Sequence, residues 1–243
     1  MALRRVFVDR ITNRSAWVSG PRAHHLYRVA RLRQGERVEI SDYQTLFLAA
    51  VKNTSASEIE FEIEQELAAG AASGAVVLQL AVVRLPRLEW AIEKATELGV
   101  SAIVPVIAER SDPRLVEAAR KRTSRWRKIA DEAAQQSRRL APPRVEDPLA
   151  FGEVLRQATA PWRVILDRDA TPLAGLLAEH TPGSAAEPAA ALLVGPEGGW
   201  TEGELEAACQ AGYLPAGLGP NVLRSETAAV AAVAILAHLL HRS

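Results

Sequence analysis

The sequence predicts a two-part protein: a small β-rich segment followed by an α/β domain built on a parallel sheet. Three observations predict it. Residues 3–67 carry strand-like runs with one short helical stretch among them. From Val76 onward, apolar runs of strand length alternate with helical stretches, the pattern of a parallel sheet covered on both faces. Between the two lies Ala68-Ala-Gly-Ala-Ala-Ser-Gly-Ala, small and flexible, which divides the chain into domains at 1–72 and 73–243.

The elements follow in order. Leu3–Asp9, Arg37–Asp42 and Leu46–Lys52 are runs rich in Val, Ile, Phe and Leu. Glu58-Ile-Glu-Phe-Glu-Ile-Glu alternates strictly, giving one apolar face and one charged, solvated face. His24–Leu32 reads as a short basic helix. Val76–Val83 is a strand, Arg87–Leu98 a helix ended by Gly99, and Ser101–Ile107 the next strand. Pro113–Arg139 reads as one long basic helix stopped by Pro142-Pro143. Trp162–Leu166 and Ala189–Val194 are buried-type strands. Thr201–Ala211 is a helix, Tyr213–Leu218 a strand, and Ser225–His241 a closing apolar helix.

Composition narrows the function classes. No apolar stretch is long enough to span a bilayer, and charges stand where a signal peptide needs an apolar core. Cys209 is the only cysteine, which excludes an intramolecular disulfide and a cysteine-based metal cluster. A cytoplasmic protein without metal is expected. The net charge is zero, which taken alone argues against a nucleic-acid partner. By segment the balance is +7 over 1–37, −6 over 38–83, +6 over 84–144 and −7 over 145–243. Charge is segregated, so a basic face can coexist with overall neutrality.

Two segments carry the chemistry. Leu192-Leu-Val-Gly-Pro-Glu-Gly-Gly-Trp-Thr-Glu-Gly-Glu runs from a buried strand into a helix, where ligands of open α/β sheets sit. Its glycines let backbone approach a ligand, and Thr201 with Glu204 has capping-box spacing. The segment is neither G-x-G-x-x-G nor a P-loop, which disfavours a dinucleotide or triphosphate. Leu218-Gly-Pro-Asn-Val-Leu-Arg-Ser-Glu-Thr-Ala-Ala repeats the theme. Glu226 in a first helical turn suits the helix dipole, whereas Arg224 does not and so reads as placed for a ligand.

These two segments, with Glu93-Lys-Ala-Thr-Glu-Leu-Gly-Val, Glu109-Arg-Ser, Glu132-Ala-Ala-Gln-Gln-Ser-Arg-Arg and His24-His-Leu-Tyr-Arg-Val-Ala-Arg-Leu-Arg-Gln-Gly-Glu, closely resemble the ribosomal RNA small subunit methyltransferase E family. The resemblance covers nearly the whole chain in order. It implies a SPOUT-type parallel sheet with a C-terminal trefoil knot, preceded by a small PUA-like β-barrel, and a homodimer. It also implies methylation of N3 of a specific uridine (U1498) in 16S ribosomal RNA with S-adenosylmethionine as donor. The chain departs from the family at Asn221, usually basic, at Ser225, commonly Thr, at Gln135, frequently an acid, and at Arg138, frequently Gly.

The resemblance places the donor against Leu166, Asp167, Val194, Gly195, Glu197, Gly198, Leu218, Gly219, Asn221, Val222, Leu223 and Ser225. Uridine N3 must lose a proton, so a general base is expected, with Glu197 or Glu226 as candidates. Charge gathering on the uracil oxygens calls for a cationic donor, the role given to Arg224. Capping, or pairing with Arg224, is the structural alternative for both acids. RNA phosphates are expected at Arg22, Arg28, Arg31, Arg33, Arg110, Arg138 and Arg139, with His25 either stacking on a base or filling the barrel end. A different SPOUT methylation and a non-catalytic assembly factor are the rival readings.

Overall fold

The computed structural model describes residues 3–68, 76–179 and 190–240. Residues 69–75, most of the expected linker, lie outside the described residues, as do Ala189 and His241 at the ends of two expected elements. The chain forms two compact units, one of Met1–Ala72 with Ala134–Pro142, the other of Ser73–Ala133 with Pro143–Ser243.

The first unit holds β1 (Arg5–Phe7), β2 (Arg10–Thr12), β3 (Ser15–Ser19), α1 (Gly20–Arg28), β4 (Arg37–Ser41), β5 (Leu46–Thr54) and β6 (Glu58–Leu67). The strands form one sheet in the order β1-β4-β5-β6-β3-β2, antiparallel except for β1 with β4. The alternation read in β6 is realised at its start: Ile59 and Phe61 are fully buried while Glu58 and Glu62 are exposed. They join Val6, Val18, Val38, Ile40 and Val51, and α1 closes over them with Ala23 and Leu26.

Two expectations need correction here. The helix expected at His24–Leu32 begins earlier, at Gly20-Pro21, because proline suits the first turn where its missing N–H is no loss. It also ends earlier, and Arg31 lies at φ +51°, outside helical space. The hairpin β2–β3, turning at Asn13 with φ +42°, was not anticipated, since its strands are too short and mixed to show a period.

The second unit holds β7 (Val76–Ala81), α2 (Leu85–Glu97), β8 (Ala102–Ile107), α3 (Pro113–Arg120), α4 (Thr123–Gln136), β9 (Arg144–Val145), β10 (Leu149–Ala150), α5 (Phe151–Gln157), β11 (Trp162–Leu166), α6 (Leu173–Glu179), β12 (Ala190–Val194), α7 (Glu202–Gln210), β13 (Leu214–Ala216) and α8 (Ser225–Leu240). Its seven strands pair entirely in parallel, in the order β10-β8-β7-β12-β11-β13 with β9 beside β8. Leu78, Leu80, Leu192 and Val194 pack with Leu88 and Ile92 of α2 and with Ala229, Val233 and Leu236 of α8. Alternate positions Ala81, Ala191 and Leu193 pack with Val154 of α5, Ala208 of α7, and Tyr213. Period-two alternation therefore gives each strand two apolar faces, one for each helical layer.

The expected single helix Pro113–Arg139 is two helices. Asp112 caps α3 by accepting from the Arg114 N–H at 2.8 Å, and a turn at Lys121-Arg122 ends it. The break lets Ala119 before it and Trp126 after it both reach the core. The short elements β9, β10, α5 and α6 were not anticipated either. The expected strand Tyr213–Leu218 shortens to β13, and Tyr213 instead buries its ring while its hydroxyl donates to Gln79 at 2.7 Å. Burial raises the Tyr213 pKa, with the Gln79 hydrogen bond acting the other way.

Candidate functional site

The sheet order puts β12, β11 and β13 side by side, so the loops after Val194, Leu166 and Ala216 emerge at one edge of the sheet. Those loops, with the residues that end β11 and β12 and begin α8, include every residue the sequence assigned to the donor. They are tied to one another by short bonds. Asp167 N–H donates to Ala216 at 3.0 Å, Gly217 N–H to Thr171 at 2.8 Å, and Leu173 N–H to Gly217 at 2.8 Å. The Trp200 indole N–H donates to the Leu166 carbonyl at 3.1 Å.

Packing explains the glycines. A Cβ on Gly217 would stand 2.7 Å from the Ala170 carbonyl oxygen, so any side chain there must push two loops apart. A Cβ on Gly195 would stand 3.1 Å from the Trp200 ring. Gly219 lies at φ +109°, a conformation that L side chains rarely adopt. Gly217 was not among the expected site residues, because nothing in the sequence reveals which glycine faces a carbonyl.

The loop after β8 holds the Gly-rich loop from outside. Arg110 Nη1 donates to the carbonyls of Gly198 at 2.7 Å and Trp200 at 3.1 Å. Glu109 N–H donates to Glu204 at 2.8 Å, and the Thr201 hydroxyl donates to Glu109 at 3.0 Å. Thr201 and Glu204 form the expected capping box on α7. The motif Glu109-Arg-Ser thus acts as a brace for the loop, and Arg110 is engaged with carbonyls rather than presented to a phosphate.

The acids also find a partner that sequence reading missed. Arg87, in the first turn of α2, pairs through Nη1 with Glu197 and lies 3.5 Å through Nε from Oε1 of Glu226. The alternative of pairing with Arg224 is replaced by pairing with Arg87. Arg224 itself is exposed and makes no ion pair with a described residue. Ser225 and Glu226 are buried, and Oε2 of Glu226 has no hydrogen-bond partner among the described residues. Asn221, Val222 and Leu223 are exposed, with Val222 at 76%.

In the first unit, His25, Arg28, Arg31 and Arg33 are exposed on and after α1, and the Arg28 guanidinium lies 5.5 Å from the Tyr27 ring centroid. Exposure of His25 removes its barrel-filling alternative. Arg22 pairs with Asp9 at 3.1 Å. Arg138 pairs with Glu39, which also holds Arg5 at 2.6 Å. Its φ of +60° gives the physical reason why glycine is the family's frequent choice there. Arg139 is half-buried, and burial lowers its pKa to about 10.

A separate cavity of about 370 Å³ lies over Val77, Gln79, Val104 and Ala191, with Arg144 and Asp147 also lining it, and none of the expected donor residues lines it. Among the described residues no group of His, Cys, Asp and Glu is arranged to hold a metal ion, and no helix is long and apolar enough to cross a membrane.

Comparison with known proteins adds to this geometry. A profile of the RNA methyltransferase domain matches residues 71–237, and one of the RNA methyltransferase PUA domain matches residues 18–64. The ribosomal RNA small subunit methyltransferase E of Bacillus subtilis is 30% identical over 91% of this chain and 89% of that protein. That of Aquifex aeolicus is 31% identical over 86% of this chain and 89% of that protein. Among solved structures, a ribosomal RNA small subunit methyltransferase E from Neisseria gonorrhoeae bound to S-adenosylmethionine aligns with a TM-score of 0.85 at 30% identity, covering 98% of each chain. With strand-end loops, motif order and both profiles in agreement, the chain belongs to the ribosomal RNA small subunit methyltransferase E family.

Proposed function

We propose that this protein transfers the methyl group of S-adenosylmethionine to N3 of a specific uridine in 16S ribosomal RNA of the small subunit. One observation carries the reading: Asp167, Gly195, Glu197, Leu218 and Gly219 lie in three loops at the ends of adjacent parallel strands, the outer two each bonded to the β11 end or its loop. The residues fit the donor. Tight glycine packing leaves backbone groups rather than side chains to face it, and a buried carboxylate oxygen stands unmatched beside them. When bound, the donor supplies an electrophilic methyl on a sulfonium.

The chain's own residues supply the rest. Leu166, Asp167, Val194, Gly195, Glu197, Gly198, Leu218, Gly219, Asn221, Val222, Leu223 and Ser225 hold and orient the donor, and fixing it against the acceptor supplies much of the rate. Glu197 or Glu226 accepts the uridine N3 proton. Arg224, exposed and unpaired among the described residues, meets the negative charge that develops on the uracil oxygens. His25, Arg28, Arg31 and Arg33 offer RNA an exposed, mainly cationic surface.

The finer architecture belongs to the same proposal. Residues 1–72 form a PUA-like barrel that grips RNA, and residues 73–243 the methyltransferase, of which Ala134–Pro142 belong to the first compact unit. Barrel closure is supported by β1 and β2: they stand at opposite ends of the sheet order, yet only Val8 and Asp9 separate them. Val8 N–H donates to Ser41 beside β1, and Asp9 N–H donates to Trp17 beside β2. A trefoil knot is supported by the path after β13, which leaves the sheet's edge and returns in α8 over β7 and β12. The homodimer is supported by Trp90 on α2 and Ile235 on α8, both large, apolar and exposed. Cytoplasmic location follows from the substrate.

Mapping of labelled methyl groups on isolated small subunits and on naked RNA tests the function. A single N3-methyluridine in the small-subunit RNA is expected. Label on a ribose 2′-hydroxyl or another base would reassign the reaction, and absent donor binding by calorimetry would point to an assembly factor.

A further inference from the structure

Arg87 occupies a position that helix electrostatics disfavours. It lies in the first turn of α2, where the backbone dipole repels a cation. What compensates it comes from two other elements: Glu197 from the Gly-rich loop and Glu226 from the first turn of α8. A guanidinium presents its N–H groups in a rigid planar fork, so one side chain fixes two carboxylates at a set separation.

The two acids are not equivalent. Glu197 has a side chain 46% exposed and makes the closer, charge-assisted contact with Nη1. Glu226 has a side chain only 9% exposed, meets Nε at 3.5 Å through Oε1, and leaves Oε2 buried with no partner among the described residues. A buried acceptor left unmatched is destabilising, the more so when charged. Native interiors rarely leave such a group without a reason, a bound water or a catalytic role among them.

Resting on the methyl-transfer reading above, we infer that Arg87 is the positioning residue that divides the two acids' roles. It ties Glu197 down as the anchor of the Gly-rich loop, and it holds Glu226 by one oxygen, which leaves Oε2 as the proton-accepting atom. The uridine N3–H proton passes to Oε2, and N3 keeps the electron pair that forms the new N–C bond. The pair from the broken C–S bond stays with sulfur, and the protonated carboxyl later returns its proton to solvent. Charge and atoms balance without another reactant.

The experiment compares the full-length enzyme with Glu226→Gln, Glu197→Gln, Arg87→Ala and Arg87→Lys, by steady-state transfer to small-subunit RNA and by calorimetric titration of S-adenosylmethionine. Circular dichroism melts check that each variant is folded. Glu226→Gln is expected to lower kcat about 10²–10⁴-fold, the range for losing a general base, while donor affinity holds within about threefold. Glu197→Gln is expected to act chiefly on donor affinity, weakening it about tenfold with a smaller effect on kcat, as loss of a loop anchor does. Arg87→Ala is expected to show both effects, and Arg87→Lys, which keeps the charge but loses the planar fork, to recover kcat only in part. A folded Arg87→Ala enzyme with wild-type kcat and donor affinity would overturn the assignment, as would equal kcat losses for Glu197→Gln and Glu226→Gln. Wild-type enzyme that binds donor but methylates no RNA would instead sink the parent reading.

Discussion

Arg224 and Arg87 are both cations near helix N-termini, and the structure treats them oppositely. Arg87 is neutralised by two acids, whereas Arg224 is exposed and has no ion-pair partner among the described residues. An arginine kept next to the buried pair Ser225 and Glu226 at unfavourable dipole cost is available for charge that appears only on reaction. Arg224→Ala should therefore lower kcat about 10²–10³-fold, the usual loss for one transition-state donor, with donor affinity and melting temperature little changed. Rapid-quench single-turnover assays measure this directly, and full turnover with normal donor binding would remove Arg224 from the mechanism. Arg224 was legible in the sequence because its position conflicts with helix electrostatics. Arg87 carries the same conflict and was passed over, because its acids lie some 110 and 139 residues away in sequence and only the fold brings them near. The reverse holds for Arg110, Arg138 and Arg139, where a basic segment advertises phosphate contacts. Arg110 instead holds carbonyls, Arg138 holds a carboxylate, and Arg139 is half-buried.

Elements show where periodicity speaks and where it is silent. Buried strands β11 and β12 and the helices α2, α7 and α8 were legible because each is long enough to display a pattern or a cap. The strands β9 and β10 have two residues each, and α5 and α6 seven each, too few for a period to emerge. The start of α7 is the most informative boundary. Glu204 accepts from the N–H groups of Thr201 at 3.0 Å and Glu109 at 2.8 Å, so one carboxylate caps the helix and braces the β8 loop against it. Thr201→Ala removes the cap's hydroxyl and, with it, the exposed bond to the Glu109 carboxylate, and should cost about 1 kcal/mol of stability. Glu204→Ala loses both the cap and the brace and leaves the part-buried Glu109 N–H unmatched, so a larger loss of about 2 kcal/mol is expected. Urea unfolding of the two variants gives the comparison. Equal losses would mean that the Glu109 N–H bond to Glu204 contributes nothing to holding the Gly-rich loop.

Across the whole chain, zero net charge conceals four segments of alternating sign. The most basic of them, residues 1–37, contains α1, which has no acid in its first turn and carries His25 and Arg28 in its last. Its acidic counterpart is β6, whose glutamates partly serve as partners for Lys52 and Arg37. Internal pairing thus absorbs much of the acidic segment, while Arg28, Arg31 and Arg33 stay exposed. Such residues bind polyanions by displacing condensed counterions, so their contribution must fall as salt rises. Each phosphate contact adds about 0.7 to the slope of log affinity against log salt for single strands and about 0.9 for duplexes. The double variant Arg28→Glu, Arg31→Glu should reduce that slope by about 1.5 or more and weaken RNA binding at every sequence alike. Donor affinity should be untouched, because no expected donor residue lies in residues 1–72. Filter-binding titrations of small-subunit RNA at several potassium concentrations read both quantities, and an unchanged slope would move the RNA grip elsewhere in the chain.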